Sequence, residues 1–515
     1  MRMSKGRRVS SHVLALDVGT SSVRALLFDQ RARQVPGAVV QIPYQPRITP
    51  DGGAEVDSNR LAGLVLRAIR QLLTTVRQSS PTLHIAAVGS STFWHSLVAA
   101  DDSGQALTPV YLWADSRSWQ EAEELRNSVD AARVRHRTGC LIHPSYWPAK
   151  LAWLHKRRPE LWSTPVRWLS FGDLLYRQLF GRPLTSLSMA SGTGLFRLDN
   201  LSWDEELLDV LQVRAETLPE LGEAASGLLP GYARRLPELA GVPWLTAFGD
   251  GALANLGSAC TVVGRRALTV GTSGALRVLY RGAPPERLPD GLWCYRLDRE
   301  RPVVGGSLSN GGNIYAWLTR TLAVNTDTLE SEVGRLKPAA HGLTFLPLLA
   351  GERSIGFALH ATGAIAGLTL ATKPVDLVRA GLEAIAIEFA RVDRRLDEVL
   401  PGAELLVASG GGLASATWTQ IMADAIGKPV ASGRDREASA RGAAIRALEH
   451  LGLLDGDQLQ PHGGRIFTPD AAASETYARQ LTKQENLYRL LIAEQSLEPR
   501  PLNELLTQQA TAHLT

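Results

Sequence analysis

Hydrophobic positions along this chain fall into short runs broken by polar turns, with stretches of helical spacing between them. Val13–Leu16 is an apolar run, Asp17-Val-Gly-Thr-Ser-Ser22 follows, and a second run, Val23–Phe28, ends at Asp29. Two such runs around a Gly-Thr-Ser turn predict a β-hairpin with a buried first strand. Leu61, Leu64, Ala68, Leu72 and Val76 then recur at helical spacing, and Asp57 stands where an N-cap belongs, which predicts an amphipathic helix. His84–Gly89 reads as another buried strand. Strands alternating with amphipathic helices predict an α/β architecture.

The second half repeats the opening. Arg266–Val270 precedes Gly271-Thr-Ser-Gly274 and Ala275–Leu279, again strand, Gly-Thr-Ser turn and strand, with an arginine soon after. A repeat this long indicates two related α/β lobes rather than a solenoid. The boundary is placed near Pro243–Ala247. The chain is thereby divided into a basic tail (1–11), a first lobe (12–246), a second lobe (247–495) and a polar tail (496–515) containing Pro499 and Pro501. The Pro-rich stretch Gly282–Asp290 reads as a surface loop.

Composition narrows the class. A chain of 515 residues suits two or three domains, and 44% hydrophobic with 21% charged residues is ordinary globular usage. Collagen, mucin and wholesale disorder are excluded. The net charge is +4 and the pI about 9.0. Its basic residues are seven lysines and 48 arginines, interleaved with Asp and Glu without a like-charge block. This favours scattered surface charge over a nucleic-acid face. Cys140, Cys260 and Cys294 are odd in number and form no CxxC, so neither a disulfide framework nor a structural zinc site is expected, and a reducing cytoplasm fits. Arg2, Lys5, Arg7 and Arg8 imitate the start of a signal peptide, but Val13–Leu16 is too short an apolar core for one. No run approaches the 18 apolar residues of a membrane span.

Four segments carry candidate chemistry. In the first hairpin, Gly19 permits close backbone approach, so that successive N–H groups with the Thr20 and Ser21 hydroxyls can face phosphate oxygens. Asp17, ending a buried strand, is placed to hold Mg²⁺. An ordinary hairpin turn would have the same sequence. The second copy, Gly271, Thr272 and Ser273, strengthens the phosphate reading. The third segment is Ser409-Gly-Gly-Gly-Leu413, after the apolar strand Glu404–Ala408. It precedes a helix over Ala416–Ile426 that carries Trp418, Ile421, Met422 and Ala425 on one face and is stopped by Gly427. Gly410, Gly411, Gly412 and Ser415 are candidates for ATP there, a plain βα turn being the alternative. No Gly-Lys-Ser/Thr follows, so this is not a P-loop. In the fourth, Asp250 lies between Gly249 and Gly251 before a small-residue helix. It is either a simple helix cap or the base that takes a proton from an acceptor hydroxyl during phosphoryl transfer.

Taken in order, these segments resemble the FGGY carbohydrate kinases over about residues 12 to 450. Val13–Asp29 is similar to that family's first phosphate hairpin. Ser91-Thr-Phe-Trp-His-Ser-Leu97 sits where many members have Ser-Gly-Gln-Met-His-Gly-Leu. Leu112-Trp-Ala-Asp-Ser-Arg117, Lys150-Leu-Ala-Trp-Leu154, Gly351-Glu-Arg-Ser354 and Gly363-Ala-Ile-Ala-Gly-Leu368 resemble further family segments, and Asp250 matches the catalytic aspartate.

The resemblance implies two actin-like/ribonuclease H-like ATPase lobes with a cleft between them, ATP with Mg²⁺, and transfer of the γ-phosphate to a sugar or sugar-acid hydroxyl. Carried over, Trp94, His95, Trp113, Asp115, His143 and Asp250 are the sugar-site candidates, although Asp115–Arg117 also reads as a structural ion pair and His143 as a structural histidine. Thr138-Gly-Cys-Leu-Ile-His-Pro144, Gly249–Gly257 and Gly271–Arg277 look most like the gluconate kinase branch. A carboxylate substrate needs a cation or donors, for which His95, His143 and an arginine are candidates.

Phe93 and Trp94 depart from the usual Gln and Met and imply a bulkier, aromatic sugar-pocket wall. Ile355 and Thr362 replace a common Pro and Arg. The alternatives are a xylulose, other pentulose or polyol kinase, a catalytically inactive sugar-binding homologue, and a chaperone-like ATPase. The last is disfavoured because no appended β-domain follows. The expected partners are a small sugar or sugar acid, with a homodimer as one option and neither nucleic acid nor membrane.

Overall fold

The computed structural model describes residues 11–494 apart from 81–82, 359, 434–436 and 462. The two tails read from the sequence, with Arg2, Lys5, Arg7 and Arg8 in one and Pro499 and Pro501 in the other, therefore lie outside the described residues. The chain forms two compact units. The first comprises the chain up to Ala259 with Tyr295–Arg301 and Glu437–Leu459; the second comprises Cys260–Cys294, Pro302–Arg436 and the chain from Gln460 onward.

The first unit is built on a six-stranded sheet. Its strands run in the order Ala224–Ala225, Trp244–Gly249, His84–Thr92, Ser11–Val18, Ser22–Phe28, Gln34–Pro43. The last three form an antiparallel meander, while His84–Thr92 runs parallel to both Ser11–Val18 and Trp244–Gly249. Val13–Leu16 of the Ser11–Val18 strand form a continuous apolar run because that part of the strand is buried on both faces. The predicted helix spans Ser58–Ser79 and buries Leu61, Leu64, Ala68, Leu72 and Val76; the Asp57 side chain accepts from the Arg60 N–H at 2.7 Å, as an N-cap does.

The second unit repeats this topology. Arg265–Val270, Gly274–Leu279 and Pro302–Leu308 form the antiparallel meander, and Leu405–Ser409 and Val430–Ser432 extend it in parallel. Each sheet thus places a Gly-Thr-Ser turn between its first two strands, as the sequence repeat predicts. The helix Ala416–Ile426 begins at Ser415, whose hydroxyl accepts from the Trp418 N–H at 3.0 Å, and stops at Gly427 in the left-handed region at φ +75°. Gly282–Asp290 is a partly to fully exposed loop, as its prolines suggest. Among the described residues no helix is long and apolar enough to cross a membrane.

Candidate active site

In the first unit, strand pairing assembles the surroundings of Asp17. The parallel register sets it opposite Ser91, and the hairpin register sets it opposite Arg24. Ser91 Oγ donates to Asp17 Oδ1 at 2.8 Å, and Arg24 Nη1 donates to Oδ2 at 3.1 Å. Burial pushes the Asp17 carboxyl above its ordinary range, against the pull of Ser91 and Arg24. The turn itself is tied by the Gly19 N–H to Ser22 O at 3.0 Å and by the Tyr44 hydroxyl to Gly19 O at 2.6 Å. Thr20 is half-buried and Ser21 exposed at its tip.

Asp250 is the first residue of the helix Asp250–Gly257, whose N-cap is Gly249. It is therefore not the cap. Its Oδ1 accepts the adjacent Gly251 N–H at 2.8 Å, and the side chain is half-buried. The Trp94 indole packs against Gly249 and Gly192, where any Cβ would overlap it.

A segment the sequence reading did not single out, the short helix Leu187–Ser191 with Gly192 and Thr193, organises this region. Ser188 Oγ accepts the Gly249 N–H at 3.1 Å, and Ser188 O accepts Trp94 Nε1–H at 2.9 Å. Gly192 O accepts His95 Nδ1–H at 2.5 Å, Ser191 Oγ accepts the Arg296 N–H at 2.9 Å, and Thr193 O accepts the Trp147 N–H at 2.9 Å. His95 is held at φ +66°, and its ring meets the edges of Tyr146 and Tyr295 at centroid distances of 4.9 and 5.5 Å. Phe93 differs from the expected pocket wall. It points into the core and stacks on Phe171 at 6.1 Å, because successive side chains leave a strand on opposite faces and the chain turns sharply at His95.

His143 Nδ1 accepts the Ser145 N–H at 3.2 Å, which assigns the proton of the neutral ring to Nε2 as a donor. Trp113 is half-buried. The Asp115 carboxylate is committed to the Ala54 N–H at 3.0 Å and to Arg117, which also reaches Glu55 at 2.8 Å. That is the geometry of the structural ion pair. Lys150, only 2% exposed, donates to Pro144 O one residue beyond His143, and burial holds its ammonium down to about 7.

The second unit contains an open cavity of about 1190 Å³. Gly271, Thr272, Gly411, Gly412, Ser415 and Trp418 line it, so two separately read segments meet at one site. Gly410 sits behind that wall at φ +95°, close against Val270 O, and Ser273 O closes the hairpin turn onto the Gly271 N–H at 2.9 Å. Further lining, from Gly312, Asn313, Tyr315 and Arg320, was not read from the sequence. Gly312 and Asn313 donate their N–H groups to Gly271 O at 2.7 Å and Thr272 O at 3.1 Å, and there is no room for a Cβ at Gly311 or Gly312. Glu330 joins the cavity and accepts from Ser415 Oγ at 2.8 Å and the Thr417 N–H at 3.0 Å. Thr362 and Gly363 complete it.

A glycine-walled cavity of nucleotide size in one α/β unit, and an aspartate beside an aromatic, histidine-bearing wall in the other, are the parts of a two-domain small-molecule kinase. The chain belongs to the FGGY family of carbohydrate kinases: residues 12–257 match the family's N-terminal domain and residues 267–449 its C-terminal domain. Members of this family use ATP as phosphate donor. The gluconokinase of Bacillus subtilis (strain 168) is 30% identical over 506 residues, covering 94% of this chain and 96% of that protein. Two Lactobacillus acidophilus crystal structures have TM-scores of 0.86 at 26% identity. One, a gluconate kinase, covers 94% of this chain and 98% of its own; the other, a ligand-bound xylulose kinase, covers 93% and 98%.

Proposed function

We propose that this carbohydrate kinase phosphorylates gluconate, with Asp250 as the general base that takes the proton of the attacking hydroxyl. The observation that carries the base assignment is the setting of Asp250. It opens a helix directly after Gly249, whose N–H is held by Ser188 and whose backbone supports Trp94. A half-buried carboxylate held at a helix start by backbone packed on the buried Trp94 is fixed in place to receive the proton of a sugar hydroxyl. Trp94, His95, Trp113 and His143 form the sugar site in this reading. Asp115 supports it from behind through Arg117 and the Ala54 N–H.

Gluconate is favoured by the 30% identity with a gluconokinase across nearly the whole chain, and by the Ile142-His143-Pro144 segment. His143 is the side chain we assign to the substrate's carboxylate. Xylulose is the second reading, because the fold matches a xylulose kinase as closely as a gluconate kinase.

ATP is assigned to the second unit, its adenosine against Gly411, Gly412, Ser415 and Trp418, and its phosphates toward the Gly271-Thr272-Ser273 turn, with Gly410 shaping the loop. Gly19, Thr20 and Ser21 are the second phosphate turn. Among the described residues no group of three or more His, Cys, Asp or Glu could hold a metal ion. The donor set at Asp17 is a single buried carboxylate, which fits Mg²⁺ held mainly by phosphate oxygens and water. When bound, Mg²⁺ would neutralise phosphate charge as the transfer proceeds. An odd count of three cysteines with no CxxC supports a cytoplasmic setting.

The test is ADP release by the purified enzyme across gluconate, xylulose, ribulose, fuculose, glycerol and erythritol. The expected result is the highest kcat/KM on gluconate. Strong turnover of pentuloses without gluconate would transfer the assignment to the second reading.

A further inference from the structure

Tyr295 lies far along the chain from Trp94, His95 and Tyr146, yet it touches all three. Its strand, Trp293–Arg296, ends in a segment that belongs to the first unit, and the side chain is 1% exposed. The ring meets Trp94 edge-on at 4.9 Å and His95 at 5.5 Å. Its hydroxyl lies 2.6 Å from that of Tyr146, and Tyr146 in turn meets His95 at 4.9 Å. The next residue, Arg296, fixes the backbone to Ser191 Oγ through its N–H and to Leu198 O at 2.7 Å through its guanidinium.

Hydrophobic burial alone does not require this hydroxyl pair. Ring packing alone would be met as well by two phenylalanines, whereas a buried hydroxyl is tolerated only with a partner. Here each hydroxyl is the other's partner, so the bond sets the rotation and tilt of both rings. Those rings flank the His95 imidazole, whose Nδ1–H is already committed to Gly192 O. The orientation of His95 therefore has two controls, Gly192 at the nitrogen and the tyrosine pair at the ring edges.

We propose that Tyr295 is a positioning residue of the sugar site, acting through its hydroxyl bond to Tyr146 to hold the two rings that fix His95 in its substrate-receiving orientation. The inference rests on the reading of Trp94 and His95 as sugar-site residues, and it is independent of which sugar is taken.

The experiment is steady-state kinetics of Tyr295→Phe, Tyr146→Phe and the double variant, using the panel sugar that the wild-type enzyme turns over best. Failure on gluconate would thus overturn the substrate choice alone. Tyr295→Phe removes one oxygen and should melt within a few degrees of wild type. The expected result is a sugar KM raised about five- to ten-fold, with the ATP KM changed less than two-fold. The double variant should be no worse than the worse single variant, because both singles break the same bond. Sugar and ATP KM values rising together, independent additive losses in the double variant, or a sugar KM within two-fold of wild type would each overturn the proposal.

Discussion

The sharpest residue-scale consequence concerns Asp250. Replacing it by Asn keeps the size and the contact to the Gly251 N–H but removes the base. Asp250→Asn should lower kcat by roughly 10²–10⁴-fold, the usual contribution of a positioned acid or base, while the sugar KM stays within about three-fold. Near-normal turnover of the purified variant would remove Asp250 from the chemistry.

Lys150 offers a pH test at the same scale. Its folded pKa is depressed by burial to about 7, with Asp115 opposing the shift and Arg117 adding to it. Between pH 7 and about 10 the unfolded chain keeps a proton that the folded chain has released, so wild-type stability rises with pH in that window. Thermal melts at pH 6.5, 8 and 9.5 should show wild type gaining on Lys150→Met, and parallel curves would mean that the lysine titrates normally.

Residues that announce themselves by type and local spacing, such as Asp17, Asp250 and the paired Gly-Thr-Ser turns, were legible in the sequence. Ser188, Tyr146, Tyr295 and Glu330 were not. Their roles depend on partners 61 residues away for Ser188, 149 for the tyrosine pair and 85 for Glu330, and no local pattern encodes such pairings.

At the scale of elements, amphipathic spacing and caps read well. The helix Ser58–Ser79 begins where Asp57 indicates, and the helix Ala416–Ile426 ends where Gly427 indicates. The buried face of the second holds Trp418, Ile421 and Met422, with Ala423 rather than Ala425 as the buried alanine, since Ala425 is half-exposed at the last turn. What spacing does not reveal is how closely elements approach. The helix Ala438–His450 packs backbone to backbone on the helix Asp250–Gly257 and the strand His84–Thr92. A Cβ at Gly442 would overlap Leu253 O, one at Gly257 Ala438 O, and one at Gly89 Ala443 O. Backbone atoms cannot rotate away as a side chain can. Gly442→Ala should therefore cost about 1–3 kcal/mol or more despite the better helix propensity of alanine, and shift the Asp250 helix. A lowered Tm together with a reduced kcat is the expected outcome. A Tm equal to or above wild type would mean that the helices separate without penalty.

At the scale of the whole molecule, the sequence repeat correctly indicated two α/β folds of one topology. It could not indicate that the chain returns, with Tyr295–Arg301 and Glu437–Leu459 packing into the first unit after the second has begun. The return has a physical basis in ion pairs: Arg301 reaches Asp298 at 2.6 Å and Glu449 at 2.8 Å within that unit. It also bears on function, because the sugar-site candidates and the cavity assigned to ATP belong to different units, and Tyr295 of the first unit lies in sequence among the cavity residues of the second. Ligand-dependent hydrogen exchange, read by mass spectrometry, should follow the units rather than the sequence. A ligand suppresses local opening where it binds, so the protected amides mark its site. ADP should slow exchange at 271–273, 312–317 and 411–418. The sugar alone should slow it at 94–95, 143–146, 188–193 and, despite its position between two nucleotide-protected stretches, around Tyr295. Sugar protection at 411–418 that leaves 188–193 unchanged would place the sugar in the wrong unit and overturn the site assignment.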